Sequence, residues 1–138
     1  MSLIINSTIE NANTSAQQLF DFCINFNNLQ SCMPPQVKEW VSTNDACSYN
    51  LNGMATIAMR ITNSVAPTLI NTVSDGDKNP FTFTLNFNIT PVTDATSTLQ
   101  LVFDGDVNMF MKPMIEKPLT NFFNYLTAQL AKNCAIIA

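Results

Sequence analysis

The sequence predicts an α+β fold: one antiparallel sheet with helices on one face, closed by a long C-terminal helix. Between about residues 36 and 106, apolar and polar side chains alternate, as strands with one dry and one wet face require. Short turns separate these strands, which suits consecutive hairpins. From Val107 to Lys132 the period changes. Ile115, Leu119, Phe122, Leu126 and Leu130 recur at steps of three and four, the spacing of one helical face.

The elements follow in order. Leu3, Ile5, Ser7 and Ile9 share one face of a first strand over about 2–10. Thr14-Ser15-Ala16-Gln17 has the form of a capping box with Thr14 as N-cap, so a helix starts there and buries Leu19, Phe20, Cys23 and Ile24. Asn25 to Asn28 interrupts it. A second short helix then runs to Cys32, and Pro34-Pro35 ends the helical region, because the residue before a proline is pushed towards extended geometry. Over Val37–Ser42 two alternations compete, which leaves the buried face open. Segments near 45–51 and 54–63 are joined by Asn52-Gly53, a strong hairpin signal, with Ile57, Met59 and Ile61 facing one way and Thr56, Ala58 and Arg60 the other. A strand near 68–75 ends in Asp75-Gly76-Asp77. In Phe81–Ile89 five apolar side chains line one face and four polar ones the other. Leu99, Leu101 and Phe103 repeat the pattern after a turn around Asp94. The last helix is expected over about 109–132. Pro113 suits its first turn, whereas Pro118 either kinks the helix or marks where its continuous part begins.

Composition bounds the function. The 138 residues suit a single domain, 1–138, that can bury a sizeable core. Only 12% of residues are charged, so eighteen asparagines and many threonines must keep the surface wet. The net charge is −4 and the six cations are scattered singly, which argues against nucleic acid or an anionic membrane surface as partner. No apolar run approaches a membrane span, so stable membrane insertion is not expected. Met1–Glu10 lacks a basic leader, and Cys23, Cys32, Cys47 and Cys134 show no paired spacing; a cytoplasmic protein with buried reduced thiols is expected. Asn6, Asn13 and Asn88 each begin an Asn-x-Ser/Thr triplet, which so Asn- and Thr-rich a chain produces by chance.

Catalytic signals are sparse. Without histidine there is no Ser-His-Asp or Cys-His pair and no ordinary zinc site. Asp75-Gly76-Asp77 and Asp104-Gly105-Asp106 lack the spacing of a calcium loop and read as turns, so no metal or cofactor is expected. Glu10, Glu39, Asp45 and Glu116 offer no recognisable acid–base pair. Arg60 is either a surface charge or, with the register inverted, an anchor for a carboxylate. Trp40 either lines the interior or covers the outer sheet. Met109, Phe110, Met111 and Met114 crowd one six-residue window, an adaptable apolar surface at the start of the last helix.

The helix pair ending in Met33-Pro34, the Asn52-Gly53 hairpin and Met114-Ile115-Glu116-Lys117-Pro118-Leu119 at the last helix carry a resemblance over nearly the whole chain. The chain resembles the START-like (SRPBCC) superfamily. Its helix-grip fold wraps a seven-stranded antiparallel sheet around a long C-terminal helix, with two short helices between strands 1 and 2. That resemblance implies non-catalytic binding of a hydrophobic or amphipathic, lipid-like small molecule between sheet and helix. Phe26, Leu29 and Met33 of the second helix would line or gate the cavity. Met59, Phe81, Phe83, Phe87 and Phe103 would line it from the strands, and Phe110, Met111, Met114, Ile115, Leu119 and Phe122 from the last helix. An interaction module is the alternative, forming a homodimer or heteromer through the sheet face or the tail Cys134-Ala135-Ile136-Ile137-Ala138. A cyclase-like enzyme is a third reading. An empty void of ~300 Å³ would cost ~7 kcal/mol, at ~24 cal/mol per Å³, against a total stability of ~5–15 kcal/mol. The cavity should therefore be small, partly collapsed or filled.

Overall fold

A computed structural model describes residues 2–51, 53, 55–76 and 79–137. Asn52 of the expected hairpin pair, Asp77, Ala138 and the side chains of Ala135, Ile136 and Ile137 lie outside the described residues. The order is β1 (Ser2–Asn6), β2 (Glu10–Ala12), α1 (Ala16–Cys23), a 3-10 helix (Phe26–Cys32), β3 (Val37–Ser42), β4 (Ala46–Leu51), β5 (Ala55–Val65), β6 (Leu69–Ser74), β7 (Phe83–Thr93), β8 (Thr96–Asp106) and α2 (Lys112–Ile137). The sheet runs β1-β8-β7-β6-β5-β4-β3, antiparallel throughout, with β2 also paired to β8. It therefore has seven strand positions among the described residues, the first one broken in two. Strands β3 to β8 are a plain meander, and the N-terminal strand joins beside β8 to close the order. Helix α2 packs against α1, the 3-10 helix, β1, β2 and β8, so this is the expected α+β, helix-grip arrangement.

The break in the first strand corrects the expected continuous alternation. Asn6 pairs with Val102 but Glu10 pairs with Leu99, a slip of one residue between the two halves. Ser7 absorbs it: its backbone N–H donates to the Leu101 carbonyl at 2.9 Å, and its hydroxyl accepts from Leu101 N–H at 2.9 Å. Thr8 N–H donates to Asn124 Oδ1 of α2 at 2.9 Å. Because a one-residue slip reverses the faces, Ile9 is exposed while Leu3, Ile5 and Ala12 are buried.

A second bulge resolves the ambiguous face of β3. The register changes between Lys38 and Val41, and Glu39 sits there at φ +57°. The extra residue lets Val37 and Trp40 both reach the core, which regular alternation forbids. Trp40 is partly buried on the inner side and stacks on Tyr49 with ring centroids 5.5 Å apart and planes 16° apart.

Three local expectations shift. The N-cap of α1 is Ser15, not Thr14: Ser15 Oγ accepts from Gln18 N–H at 3.1 Å, while Thr14 is buried with its carbonyl accepting from Ser97 Oγ at 2.9 Å. Asp104 and Gly105 lie inside β8, opposite Thr84 and Phe83, and form no turn. Helix α2 is one helix with Pro118 inside it. The Met114 carbonyl that Pro118 cannot serve belongs to a residue 73% exposed, so water can satisfy it. Ahead of α2, Asn108 Oδ1 accepts from the backbone N–H groups of Phe110 and Met111 at 3.0 and 2.8 Å.

Candidate functional site

The inner face of α2 carries Ile115, Leu119, Phe122, Leu126 and Leu130, all buried, as the stripe predicts. Its two halves meet different surroundings. The C-terminal half is covered by α1 and the 3-10 helix, where Leu19, Cys23, Phe26, Leu29, Leu126, Leu130 and Cys134 have no exposure. Asn133 Nδ2 donates to Cys32 Sγ at 3.5 Å and ties the two elements. The N-terminal half meets the ends of β4, β5, β7 and β8, and there the packing opens.

Three apolar spaces lie in series at that open end. An outer groove of about 450 Å³ runs between Pro34-Pro35-Gln36, Leu51 and Pro118, Asn121, Phe122 and Tyr125 of α2. An interior cavity of about 20 Å³, close to the least that holds one water, is walled by residues including Tyr49, Ile57, Met59, Phe83, Phe103 and Phe122. A third space of about 70 Å³ is bounded by Pro80, Phe81, Met111, Ile115 and Leu119 among others. Leu51 lines all three, Phe122 separates groove from cavity, and Leu119 and Phe81 separate cavity from the third space. A surface depression of about 750 Å³ beside β2 and α2, lined by Glu10, Asn13, Val92, Ala128, Gln129 and Lys132 among others, shares no lining residue with this series.

The expected site residues distribute accordingly. Met59, Phe83, Phe103, Leu119 and Phe122 meet around the interior cavity, and Met111 and Ile115 line the adjoining space. Phe26, Leu29 and Phe87 lie in the closed packing instead; Phe26 and Phe87 pack ring to ring at 6.2 Å. Met33 caps the 3-10 helix, partly buried beside Pro34. Phe110 and Met114 point outward, 80% and 73% exposed. Phe81 lines the cavity as expected, whereas Tyr49, Leu51, Ile57, Leu85 and Phe123 are walls that the sequence reading does not name. A signal for two of them was present: the Asn52-Gly53 hairpin places Tyr49 opposite Ile57 on the face shared with Met59.

The electrostatics are those of a dry interior. Burial pushes the Cys47 thiol up to about 12, and raises Cys23, where the neighbouring Cys134 and Cys32 add to the effect. Cys32 is raised by burial against hydrogen bonds from Asn133 and Ser31. All four cysteines are buried thiols outside any disulfide. The Tyr49 phenol is also raised well above its ordinary range by burial, with Cys47 beside it. Arg60 is half exposed and pairs with Asp75 at 3.6 Å, so it is a surface charge. Among the described residues no group of three or more Cys, Asp or Glu side chains could hold a metal ion, and no helix is long and apolar enough to cross a membrane.

No family model matches the sequence, and no curated protein matches it. Solved structures do share its fold. A START superfamily protein from Mycobacterium smegmatis superposes with a TM-score of 0.76 at 14% identity, covering 98% of this chain and 99% of the other. A conserved protein from Geobacillus kaustophilus gives 0.73 at 14% identity, covering 97% and 96%. Norcoclaurine synthase from Thalictrum flavum, solved with dopamine and hydroxybenzaldehyde, gives 0.65 at 7% identity, covering 92% and 85%. The chain thus has the START-like helix-grip fold, and at these identities the likeness extends to the fold alone.

Proposed function

We propose that the chain binds a hydrophobic small molecule between the sheet and the N-terminal half of α2, with the groove at Pro34-Pro35 as its mouth. The carrying observation is the series of three apolar spaces that share Leu51, neighbouring ones also sharing walls at Phe122, Leu119 and Phe81. A cavity of about 20 Å³ leaves little void to destabilise the unliganded fold. A ligand entering from the groove would displace Phe122, Leu119 and Leu51 rather than fill a standing hole. The walls favour holding over turnover, since none of the described residues lining the three spaces is an Asp, Glu, Lys or Arg. The four buried thiols, none of them in a disulfide, support a reducing, cytoplasmic setting. Native mass spectrometry of the purified protein, with titration of a fluorescent fatty acid, tests the proposal. Adducts of lipid mass and saturable uptake are expected; the bare 15.3 kDa chain with no uptake would refute it.

One observation favours an interaction surface as a second reading. Met109, Phe110 and Met114 are 62%, 80% and 73% exposed within six residues at the start of α2, large apolar side chains that a partner could cover. Light scattering tests self-association: twice the chain mass, lost on Phe110→Ser, would support it.

A further inference from the structure

The interior cavity has one polar feature. Of the eleven residues around it, ten carry hydrocarbon or thioether side chains, and Tyr49 alone brings an oxygen. Tyr49 is 3% exposed, and its hydroxyl has no hydrogen-bond partner among the described residues. Its ring is held on both sides, by the Trp40 stack at 5.5 Å and by Phe122 at 6.0 Å. No buried side-chain oxygen or nitrogen is left without a partner among the described residues, so this hydroxyl borders open space, where a ligand atom can meet it.

We propose that Tyr49 is the polar anchor of this cavity, and that its ligand is an uncharged apolar molecule presenting one hydrogen-bond acceptor, a carbonyl or ether oxygen, to the Tyr49 hydroxyl. This rests on reading the interior as a ligand site. Charge disfavours the anionic forms: among the described residues no Lys or Arg lines the cavity or either neighbouring space, so a carboxylate would be buried without a counter-ion. Proton balance selects the acceptor. A phenol facing an oxygen with no hydrogen of its own leaves no donor unused. A ligand hydroxyl or amine would bring a second donor, and the cavity walls offer it no further side-chain oxygen or nitrogen. The phenol stays protonated at any physiological pH, since burial raises it well above its ordinary range.

Acetophenone and α-methylstyrene have the same shape and differ in C=O against C=CH2, so together they isolate the hydrogen bond. Equilibrium dialysis of each against the wild type and Tyr49→Phe should show the substitution weakening acetophenone ~10-fold and α-methylstyrene by less than ~2-fold. Retained α-methylstyrene binding certifies that the variant is folded. If both probes bind and Tyr49→Phe leaves acetophenone unchanged, the anchor is refuted while the ligand site stands. If neither probe binds the wild type, the ligand site itself falls and the anchor with it. The unliganded melting temperature is an independent check: Tyr49→Phe should leave it unchanged or raise it. A fall of ~5 °C or more would mean that the hydroxyl is already satisfied, and would overturn the proposal.

Discussion

The two halves of α2 present the same apolar stripe to different company. Around Leu126 and Leu130 the stripe is covered by α1 and the 3-10 helix, and nothing there is exposed. Around Leu119 and Phe122 it faces strand ends, Pro34-Pro35 and a cluster of phenylalanines, with three spaces between them. A helix laid across a helix interdigitates along its length, whereas strand ends diverge and leave gaps that side chains must bridge. The difference lies in what covers the helix and not in the helix itself. Stability should be concentrated at one end of the core and adaptability at the other.

The sharpest way to break that comparison is a matched pair of truncations. Leu126→Ala should cost ~4–5 kcal/mol, the upper range for a buried leucine, because its neighbours have no room to collapse. Leu119→Ala should cost only ~2–3 kcal/mol, since Phe122, Phe81 and Leu51 border spaces into which they can relax. It should also raise uptake of a hydrophobic probe, which Leu126→Ala should not. Urea midpoints and probe titrations measure both effects; equal losses would erase the distinction between the ends.

The sequence discloses the stripe and the sheet but not this asymmetry, for physical reasons. Alternation in Phe81–Ile89 and the three-four spacing of Ile115 to Leu130 are local consequences of period, and those positions are buried apart from the half-covered Phe81. Which end of a stripe is covered depends on where α1 and the 3-10 helix dock, and no periodicity within α2 encodes that. The Met-rich window illustrates the limit. Met111 turns inward, whereas Met109, Phe110 and Met114 turn outward, because the Asn108 turn and the start of α2 set their directions. Tyr49 reads as one more alternating aromatic until the hairpin register puts it on the cavity wall. The bulges at Ser7 and Glu39 erase the parity on which face assignment depends, so Ile9 and Trp40 could not be placed from alternation.

Alkaline titration should probe the dry interior next. Cys47, raised to about 12, keeps its proton in the fold, whereas an unfolded thiol loses it near ~8.5. Between those values the folded state binds more protons, so stability falls with rising pH by ~1.4 kcal/mol per unit for this group. Stability is fully present below ~pH 8.5, and by pH 10.5 Cys47 alone should have removed ~2–3 kcal/mol. Cys23 and Cys32 shift in the same direction and steepen the decline. Cys47→Ala should flatten the slope between pH 8.5 and 10.5 whatever it does to the starting stability. A flat profile in the wild type would show that the thiols are wetter than their burial implies.

Gly105 tests the open end from the sheet side. A Cβ there would lie 2.8 Å from two ring atoms of Phe103 and 3.2 Å from one of Phe81. Both rings belong to the cluster around the interior cavity, where Phe103 also packs on Phe83 and Phe123 at 5.5 and 5.1 Å. Because the obstacles are ring ends and not backbone, Gly105→Ala should cost ~1–2 kcal/mol, with the rings giving way. Probe affinity should change along with the midpoint. Loss of stability with unaltered probe binding would detach this phenylalanine cluster from the ligand site.

The smallest effect expected is a gain. Glu39 is exposed and adopts φ +57°, a conformation that costs a residue with a Cβ ~1–2 kcal/mol and glycine almost nothing. Glycine loses more backbone freedom on folding, which takes back ~0.5–1 kcal/mol, so Glu39→Gly should stabilise by no more than ~1 kcal/mol. The bulge turns Trp40 inward onto Tyr49, and the substitution should leave that stack in place. The fluorescence of Trp40, the lone tryptophan, would then keep its wavelength while the urea midpoint rises. A red shift with a lower midpoint would mean that Glu39 holds the bulge by its side chain, and that the wall behind Tyr49 depends on it.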